Sequence, residues 1–324
     1  MNRIAVLDTG YPSYEYELNL FGTHGYRFEL YSGIPGDRNK QIEFARDAAG
    51  ILVRGTVIDA ESMGRLKNLK AIVRYGTGYE NIDLKSASER GIRVANVQGY
   101  ASHAVSDHAL GLMFACIRGI GTPWPEGFGK PVRPEVFELH DKVLGIIGIG
   151  RIGSHFSKKA APMFKETLAF DPYQDEAAIT ASGARKSDLD EVLGRSHVIS
   201  IHCTLTAETR HMIGRNALRQ AHQKPVIVNT ARGGIIDSHA LHEALDSGWI
   251  HSAGMDVFET EPPGAAERAL LAHPRVVATP HVAWYSDRAS RELQRRAADN
   301  LLALLQGKEV PDEIKDTDIN NLFH

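Results

Sequence analysis

Short apolar runs separated by amphipathic stretches are the feature of this chain that most limits its fold. Uniformly apolar runs of four to nine residues are typical of parallel strands covered on both faces, and the stretches between them have helical periodicity. The sequence therefore predicts an α/β fold with two doubly wound parallel-sheet units. The predicted strands are RIAVLD, RFELYS, GILVRG, LKAIVRYG and IRVANV in a first series, and KVLGIIG, ETLAFD, HVISIHC, KPVIVNTAR, IHSAGMDV and VVATPH in a second.

Length and composition agree with two domains and exclude some partners. A chain of 324 residues exceeds the ~250–300 residues at which single cores stop growing. A formal charge of −3 offers no basic excess for nucleic acid. No signal-peptide pattern or apolar run long enough for a membrane is found. Cys116 and Cys203 are too few for a disulfide framework and lack metal-site spacing, so we expect a cytoplasmic protein without a bound metal.

Two long helical patterns border the second series of strands. One covers residues 101–119 and is followed by an irregular surface connection, GTPWPEGFGKPVRP. The other follows His281 and reads AWYSDRASRELQRRAADNLLALLQG. Such helices could form a hinge between domains or simply pack on the sheets, and periodicity does not separate these alternatives.

A glycine-rich turn, Gly148-Ile149-Gly150-Arg151-Ile152-Gly153, joins a buried-strand pattern to a helix pattern. The first glycine permits a tight turn, the second lets a pyrophosphate approach the backbone, and the third allows close packing of helix and strand. Helix N-terminal amides would then face the anion. A purely structural turn is the alternative, but the strand-turn-helix context favours a dinucleotide site.

Asp171 ends the strand that follows this turn. A carboxylate there would accept hydrogen bonds from the ribose hydroxyls and repel a 2′-phosphate, which favours NAD over NADP. Residues 172–174 supply no arginine for that phosphate. A basic residue elsewhere could still do so.

Three further residues follow strands or lie in loops: Arg232, Glu261 and His281. In a doubly wound sheet such positions converge on the crevice at the carboxyl ends of the strands. An imidazole gains and loses a proton near neutral pH, so His281 suits proton transfer to a carbonyl oxygen. The guanidinium of Arg232 suits a substrate carboxylate, and Glu261 would orient and stabilise the protonated imidazole. Taken singly, each could be an ordinary solvated side chain.

The motifs VNTARGGIIDSHAL, AGMDVFETEP and TPH, together with GIGRIG, resemble those of the D-isomer-specific 2-hydroxyacid dehydrogenases. The resemblance covers essentially the whole chain. It implies a Rossmann NAD-binding domain, residues 101–282, inserted into a flavodoxin-like split substrate domain, residues 1–100 plus 283–324. It also implies a homodimer and the reduction of a 2-oxo acid to the D-hydroxy acid.

The same resemblance assigns residues to the ligands. It gives Arg232, Glu261 and His281 the roles argued above and places Asp256 at the nicotinamide carboxamide. Further residues are expected along the dinucleotide: Thr77, Val105, Cys203, Thr206 and Thr230.

A closer likeness, carried by RYGTGYENIDLKSA and TPHVAWYSDRAS, is to the C-terminal-binding-protein corepressors and their bacterial relatives. It implies that Arg74 contacts the substrate carboxylate, with Gly76 beside it, and that Trp284 packs against the substrate side chain. We therefore expect a pocket for an apolar or bulky 2-oxo acid. Without the resemblance, Trp284 could equally be a core or interface aromatic.

Some features depart from the family pattern or leave alternatives open. Residues 121–140 lack the basic and aromatic signature of many members. We expect no regulatory domain after residue 324, which disfavours a long phosphoglycerate dehydrogenase. Glutamate rather than glutamine at position 261 disfavours formate. An NAD(H)-sensing, corepressor-like interaction protein remains an alternative, as do short phosphoglycerate and phosphite-type dehydrogenases. The presence of the three catalytic candidates together favours an enzyme.

Overall fold

The computed structural model describes residues 2–121 and 135–314. The connection predicted at 121–134 therefore lies, apart from its first residue, outside the described residues. The chain divides into two compact units, Met1–Tyr100 with Ser286–His324, and Ala101–Tyr285. No helix within the described part of the chain is long and apolar enough to cross a membrane.

The first unit is built on a five-stranded parallel sheet in the order β2-β1-β3-β4-β5, the strand order of flavodoxin-like folds. Its strands are β1 Arg3–Val6, β2 Arg27–Leu30, β3 Ala48–Val53, β4 Ala71–Arg74 and β5 Arg93–Ala95. The helices between them are α1 Glu15–Thr23, α2 Arg38–Phe44, α3 Ala60–Arg65 and α4 Leu84–Glu89.

The second unit holds a seven-stranded parallel sheet. Its helices are α5 Ser102–Arg118, α6 Arg151–Ala160, α7 Glu176–Thr180, α8 Leu189–Arg195, α9 Arg215–Gln220, α10 Ser238–Asp246 and α11 Ala265–Ala272. Its strands are β6 Val143–Ile147, β7 Glu166–Phe170, β8 Arg185–Lys186, β9 Val198–Ile201, β10 Val226–Asn229, β11 Ser252–Met255 and β12 Val276–Ala278. The order β12-β11-β10-β9-β6-β7-β8 is that of a dinucleotide-binding sheet with one strand added at an edge. The predicted class of two parallel-sheet α/β units is confirmed.

Both faces of the seven-stranded sheet are covered, as the apolar runs predict. On β6, Leu144 and Ile146 belong to the cluster that includes side chains of α5 and α6. Val143 and Ile147 belong to the cluster that includes side chains of α8 and α10. Because successive strand residues point to opposite faces, a strand between two helical layers must be apolar throughout.

The last helix, α12 Asp287–Leu305, returns to the first unit. The sequence placed its start and the domain boundary near 283, but the helix begins only after Ser286, whose side chain accepts from the Ala289 amide. The amides of Val282 and Ala283 are instead bound by the Asp256 carboxylate. Residues 283–285 are therefore held by the second unit, and the helix prediction was four residues too long at its start.

Candidate active site

Backbone contacts leave no room for a side chain at two glycines of the turn between β6 and α6, Gly148 and Gly153. Gly148 has a φ of +92°, and a Cβ there would lie 2.6 Å from the Cys203 nitrogen. A Cβ on Gly153 would lie 2.0 Å from the Gly148 oxygen. The first and third glycines are thus required by the backbone conformation and by the packing of α6 on the strands.

Gly150 has a different environment, which fits a dinucleotide pyrophosphate. A Cβ at Gly150 would meet no atom within 4 Å, and the φ of this residue is −74°. The residue is the N-cap of α6. The first amides of the helix, which lack intrahelical acceptors, therefore lie next to the open space at Gly150. The turn therefore combines two glycines that the protein itself needs with one whose open side suits a bound phosphate.

The sequence-predicted Asp171 lies against this turn, directly after β7. Its Oδ2 accepts from the Ile149 amide at 2.8 Å and its Oδ1 from the Tyr173 amide at 2.9 Å. It also lines a pocket of about 400 Å³ with Phe170, Pro172, Lys186, Ser187 and Asp188. The Lys186 ammonium donates to the Gln174 carbonyl oxygen at 2.6 Å, and it is the basic group of that pocket.

His281 and Glu261 form a close pair. The Nδ1 of His281 lies 2.6 Å from Oε2 of Glu261, and the two side chains are 46% and 36% exposed. The other carboxylate oxygen, Oε1, accepts from the Phe258 amide at 3.1 Å. Burial raises the pKa of the Glu261 carboxyl, but the hydrogen bond and charge of His281 and the charge of Arg232 bring it below its ordinary value.

The ionised state of Glu261 determines how protons are arranged on the imidazole. A carboxylate can only accept hydrogen bonds, so Nδ1 of His281 carries a proton and donates it to Oε2. The opposite nitrogen, Nε2, is then the one that can gain or lose a proton. This is the arrangement a general acid and base requires.

Arg232 is held in the loop after β10 by a buried amide that the sequence did not single out. Asn229 is fully buried, donates from Nδ2 to the Arg232 carbonyl oxygen at 3.0 Å, and accepts at Oδ1 from the Ala231 amide at 3.0 Å. A Cβ on Gly233 would lie 1.9 Å from the Phe258 carbonyl carbon. The backbone that carries Arg232 is thus pressed against the loop that carries Glu261.

Asp256 holds the segment that contains His281. The side chain is 1% exposed, and its carboxylate accepts from the Thr279 hydroxyl at 2.5 Å and from the Val282 and Ala283 amides, both at 2.9 Å. His281 itself has a φ of +54°, a conformation that costs about 1–3 kcal/mol for a residue other than glycine. The bonds from Asp256 on both sides of His281 stabilise that conformation. The predicted contact of Asp256 with the nicotinamide stays a prediction.

Other predicted cofactor residues of the second unit lie after strands β9 and β10 and on helices α5 and α6. Cys203 lies at the glycine turn, and burial raises the pKa of its thiol to about 12, which favours the protonated form. The hydroxyl of Thr206 donates to Glu208 at 2.6 Å. Among the described residues, the buried hydroxyl of Thr230 has no hydrogen-bond partner. Val105 is buried on α5, while Arg151 and Ile152 begin α6, with Arg151 exposed.

The remaining predicted residues are divided between the units. Arg74, Gly76 and Thr77 lie at and after the end of β4 in the first unit, and a Cβ on Gly76 would lie 1.6 Å from Nη1 of Arg74. Thr77 donates from its hydroxyl to the Val97 carbonyl oxygen at 3.2 Å. Trp284 belongs to the second unit and packs edge-on against Tyr285, with ring centroids 5.6 Å apart. Within the described residues no group of three or more histidine, cysteine, aspartate or glutamate side chains could hold a metal ion.

The two kinds of glycine in the turn should respond differently to alanine. Gly153→Ala places a methyl group against a backbone oxygen, so we expect the Tm to fall by roughly 3–10 °C, since overpacking costs about 1–3 kcal/mol. Gly150→Ala should leave the Tm unchanged but weaken NADH binding at least about tenfold, or ~1.4 kcal/mol. Thermal melts and NADH fluorescence titrations measure both effects. Wild-type NADH affinity in Gly150→Ala would contradict the predicted approach of the pyrophosphate.

Comparison with known proteins assigns the chain to a family. Residues 110–283 match the family model described as "D-isomer specific 2-hydroxyacid dehydrogenase, NAD binding domain". A hydroxypyruvate reductase of Thermotoga maritima is 39% identical, with 76% of this chain and 80% of that protein covered. A D-3-phosphoglycerate dehydrogenase of Methanocaldococcus jannaschii is 35% identical over 84% of this chain, which spans about half (52%) of its length. The apo-structure of D-lactate dehydrogenase from Escherichia coli superposes with a TM-score of 0.84 at 30% identity, covering 97% of this chain and 100% of that one.

The chain therefore belongs to the D-isomer-specific 2-hydroxyacid dehydrogenases, and its second unit contains the NAD-binding domain of that family. The family and the cofactor predicted from the motifs are confirmed. The comparisons do not single out the corepressor-like branch.

Proposed function

We propose that this protein reduces a short 2-oxo acid to the D-2-hydroxy acid, with His281 as the proton donor. The observation that carries the proposal is the 2.6 Å contact between His281 Nδ1 and Glu261 Oε2, with Arg232 close enough for its charge to lower the pKa of Glu261. A proton donor and a cation for a carboxylate are the two groups that such a reduction needs from the protein.

The roles of the residues follow from their geometry. Residues of the glycine turn, with Asp171, would hold the dinucleotide, which supplies the hydride for reduction and accepts it in the reverse direction. Arg232 would bind the substrate carboxylate and polarise the neighbouring carbonyl group. Nε2 of His281 would transfer a proton to the carbonyl oxygen as the C–H bond forms, while Glu261 stabilises the protonated imidazole. Arg74 remains a second candidate for the carboxylate.

A panel of 2-oxo acids tests the proposal directly. NADH oxidation would be followed with hydroxypyruvate, glyoxylate, pyruvate, an aromatic 2-oxo acid and 3-phosphohydroxypyruvate, and repeated with NADPH. The relative named a hydroxypyruvate reductase favours a short hydroxylated acid, and the one named a phosphoglycerate dehydrogenase supports inclusion of the phosphorylated acid. We expect turnover with NADH and a D-configured product. NADH binding without turnover on any acid would instead favour a dinucleotide-sensing interaction protein.

Trp284 should decide whether bulky acids are accepted. Trp284→Ala should lower kcat/KM for an aromatic 2-oxo acid by roughly tenfold, because a buried aromatic contact is worth about 1–2 kcal/mol. The same substitution should change kcat/KM for glyoxylate little. Tyr285→Phe, which keeps the edge-on ring beside Trp284, is the matched control. An unchanged ratio of the two kcat/KM values in Trp284→Ala would rule out this role.

A further inference from the structure

A second histidine–carboxylate pair lies beside the loops that carry the proposed catalytic groups. Nε2 of His211 is 2.6 Å from Oε2 of Glu259. Glu259 precedes Glu261 by two residues in the loop after β11, and His211 lies in the segment between β9 and α9. Neither residue has a role in the proposed reaction.

The Glu259 carboxylate joins separate segments of the second unit. While one oxygen binds His211, the other, Oε1, accepts from the amide of Ser238 at 2.9 Å, at the first residue of α10. The Glu259 side chain is only 23% exposed. Burial raises the pKa of its carboxyl, but the Ser238 amide and His211 bring it below its ordinary value, so the group is ionised near neutral pH. A half-buried carboxylate that is bonded through both oxygens differs from an exposed ion pair, because an exposed pair contributes little to the stability of the fold.

The backbone of His211 is attached to the turn that follows Arg232. Its amide donates to the Gly234 carbonyl oxygen at 2.8 Å, and its φ is +52°. Two residues further on, the Ile213 amide donates to the Ile235 carbonyl oxygen at 3.1 Å. A residue other than glycine persists in this left-handed conformation only where its surroundings hold it. Here the side-chain bond to Glu259 and the backbone bond to Gly234 do so.

These contacts form a closed ring. The Arg232 turn is pressed through Gly233 against the backbone of Phe258 and Glu259. The Glu259 side chain reaches His211, and the His211 backbone returns to the Arg232 turn. Glu261 lies two residues after Glu259 in this loop. Any movement of the Glu259 loop away from the Arg232 turn would therefore break the ring and change the spacing of Arg232 and Glu261.

We propose that the His211–Glu259 pair is a positioning element that holds the loop carrying Glu261 against the turn carrying Arg232. The inference rests on the proposed function, because it concerns the spacing of the carboxylate-binding cation and the partner of the proton donor. A displacement of about 1 Å in such groups can lower the rate by up to about 10²-fold. Neither His211 nor Glu259 needs to touch the substrate for this effect.

Two substitutions of Glu259 separate positioning from folding. Glu259→Ala removes both bonds, and we expect kcat/KM for the preferred 2-oxo acid to fall roughly 10- to 100-fold, with KM raised and kcat lowered. Glu259→Gln keeps an oxygen that can accept from Ser238 and an amide that can bond His211, so it should recover most of that loss. Steady-state kinetics, NADH affinity and Tm would be measured for each variant, and NADH affinity should stay within about twofold of the wild type.

Asp246→Ala is the matched control. Asp246 also bonds to histidines, with Nδ1 of His242 at 3.2 Å and Nε2 of His273 at 3.4 Å, but it lies at the end of α10 opposite Ser238. The steady-state kinetics of Asp246→Ala should equal those of the wild type. Unchanged kcat/KM in Glu259→Ala, or a loss of kcat alone that matches the unfolded fraction, would overturn the inference. Absence of wild-type turnover on the substrate panel would instead overturn the proposed function, and this inference with it.

Discussion

Replacing His281 with alanine should lower kcat for reduction by on the order of 10² to 10⁴, the usual contribution of a positioned general acid. The loss follows from the geometry, because Nδ1 is bound to Glu261 at 2.6 Å and Nε2 is the nitrogen left to give up a proton. KM and NADH affinity should change little, since the imidazole acts on the transition state rather than on binding. Stopped-flow single turnovers with NADH would separate the chemical step from product release.

His222→Ala is the control for this substitution, because His222 is an exposed histidine of the same unit without a place in the proposed site. It should behave as the wild type. Near-wild-type single-turnover rates in His281→Ala would show that another group supplies the proton.

The dependence of the rate on pH should identify the same group. Reduction takes up one proton at the carbonyl oxygen, so kcat for reduction should fall as the pH rises and kcat for oxidation should rise. The pKa of Glu261 is lowered, so this carboxylate stays ionised below the ordinary glutamate value of about 4.3 and should cause no loss of activity between about pH 5 and 7. A flat profile in single turnovers would contradict the assignment of His281.

The fold could be predicted from the sequence wherever burial alone determines an element. All residues of β6 are buried, so its apolar run, VLGII, indicates a strand covered on both faces. Strand β8 consists of Arg185 and Lys186, both exposed, and no hydrophobic pattern marks it. The start of α12 was predicted too early for another reason. Residues before Ser286 bind Asp256, which is distant in the chain, and helix propensity depends only on neighbouring residues.

The candidate site, like the fold, could be predicted only where neighbouring residues determine it. Gly148, Gly153 and Asp171 could be recognised because their spacing reflects one continuous strand-turn-helix-strand unit. The side chains that position the catalytic candidates could not be recognised from local sequence. Asn229 holds the Arg232 loop through its own neighbours, whereas Glu259 binds His211 across 48 residues of sequence. The Glu259–His211 pair depends on the assembled sheet, where loops after separate strands meet.

Arg232 should contribute to binding and to catalysis together, which distinguishes it from His281. Arg232→Gln should lower kcat/KM for the 2-oxo acid by roughly 10² to 10³, since loss of one partner of a buried charged pair costs about 2–5 kcal/mol, and KM should rise. Arg232→Lys keeps the charge but loses the planar fork, so an intermediate loss of roughly tenfold is expected. Steady-state kinetics with the preferred acid would measure both.

A second effect of Arg232→Gln follows from its influence on Glu261. The charge of Arg232 helps to lower the pKa of that carboxyl, so its removal should raise this pKa and move the loss of activity on the acid side to higher pH. Arg210→Gln is the control, because the Arg210 guanidinium lies 3.4 Å from the position of a Cβ on Gly234, in the same turn, but has no part in the proposed site. If Arg210→Gln weakened substrate binding as much as Arg232→Gln, general positive charge rather than a specific guanidinium would hold the carboxylate.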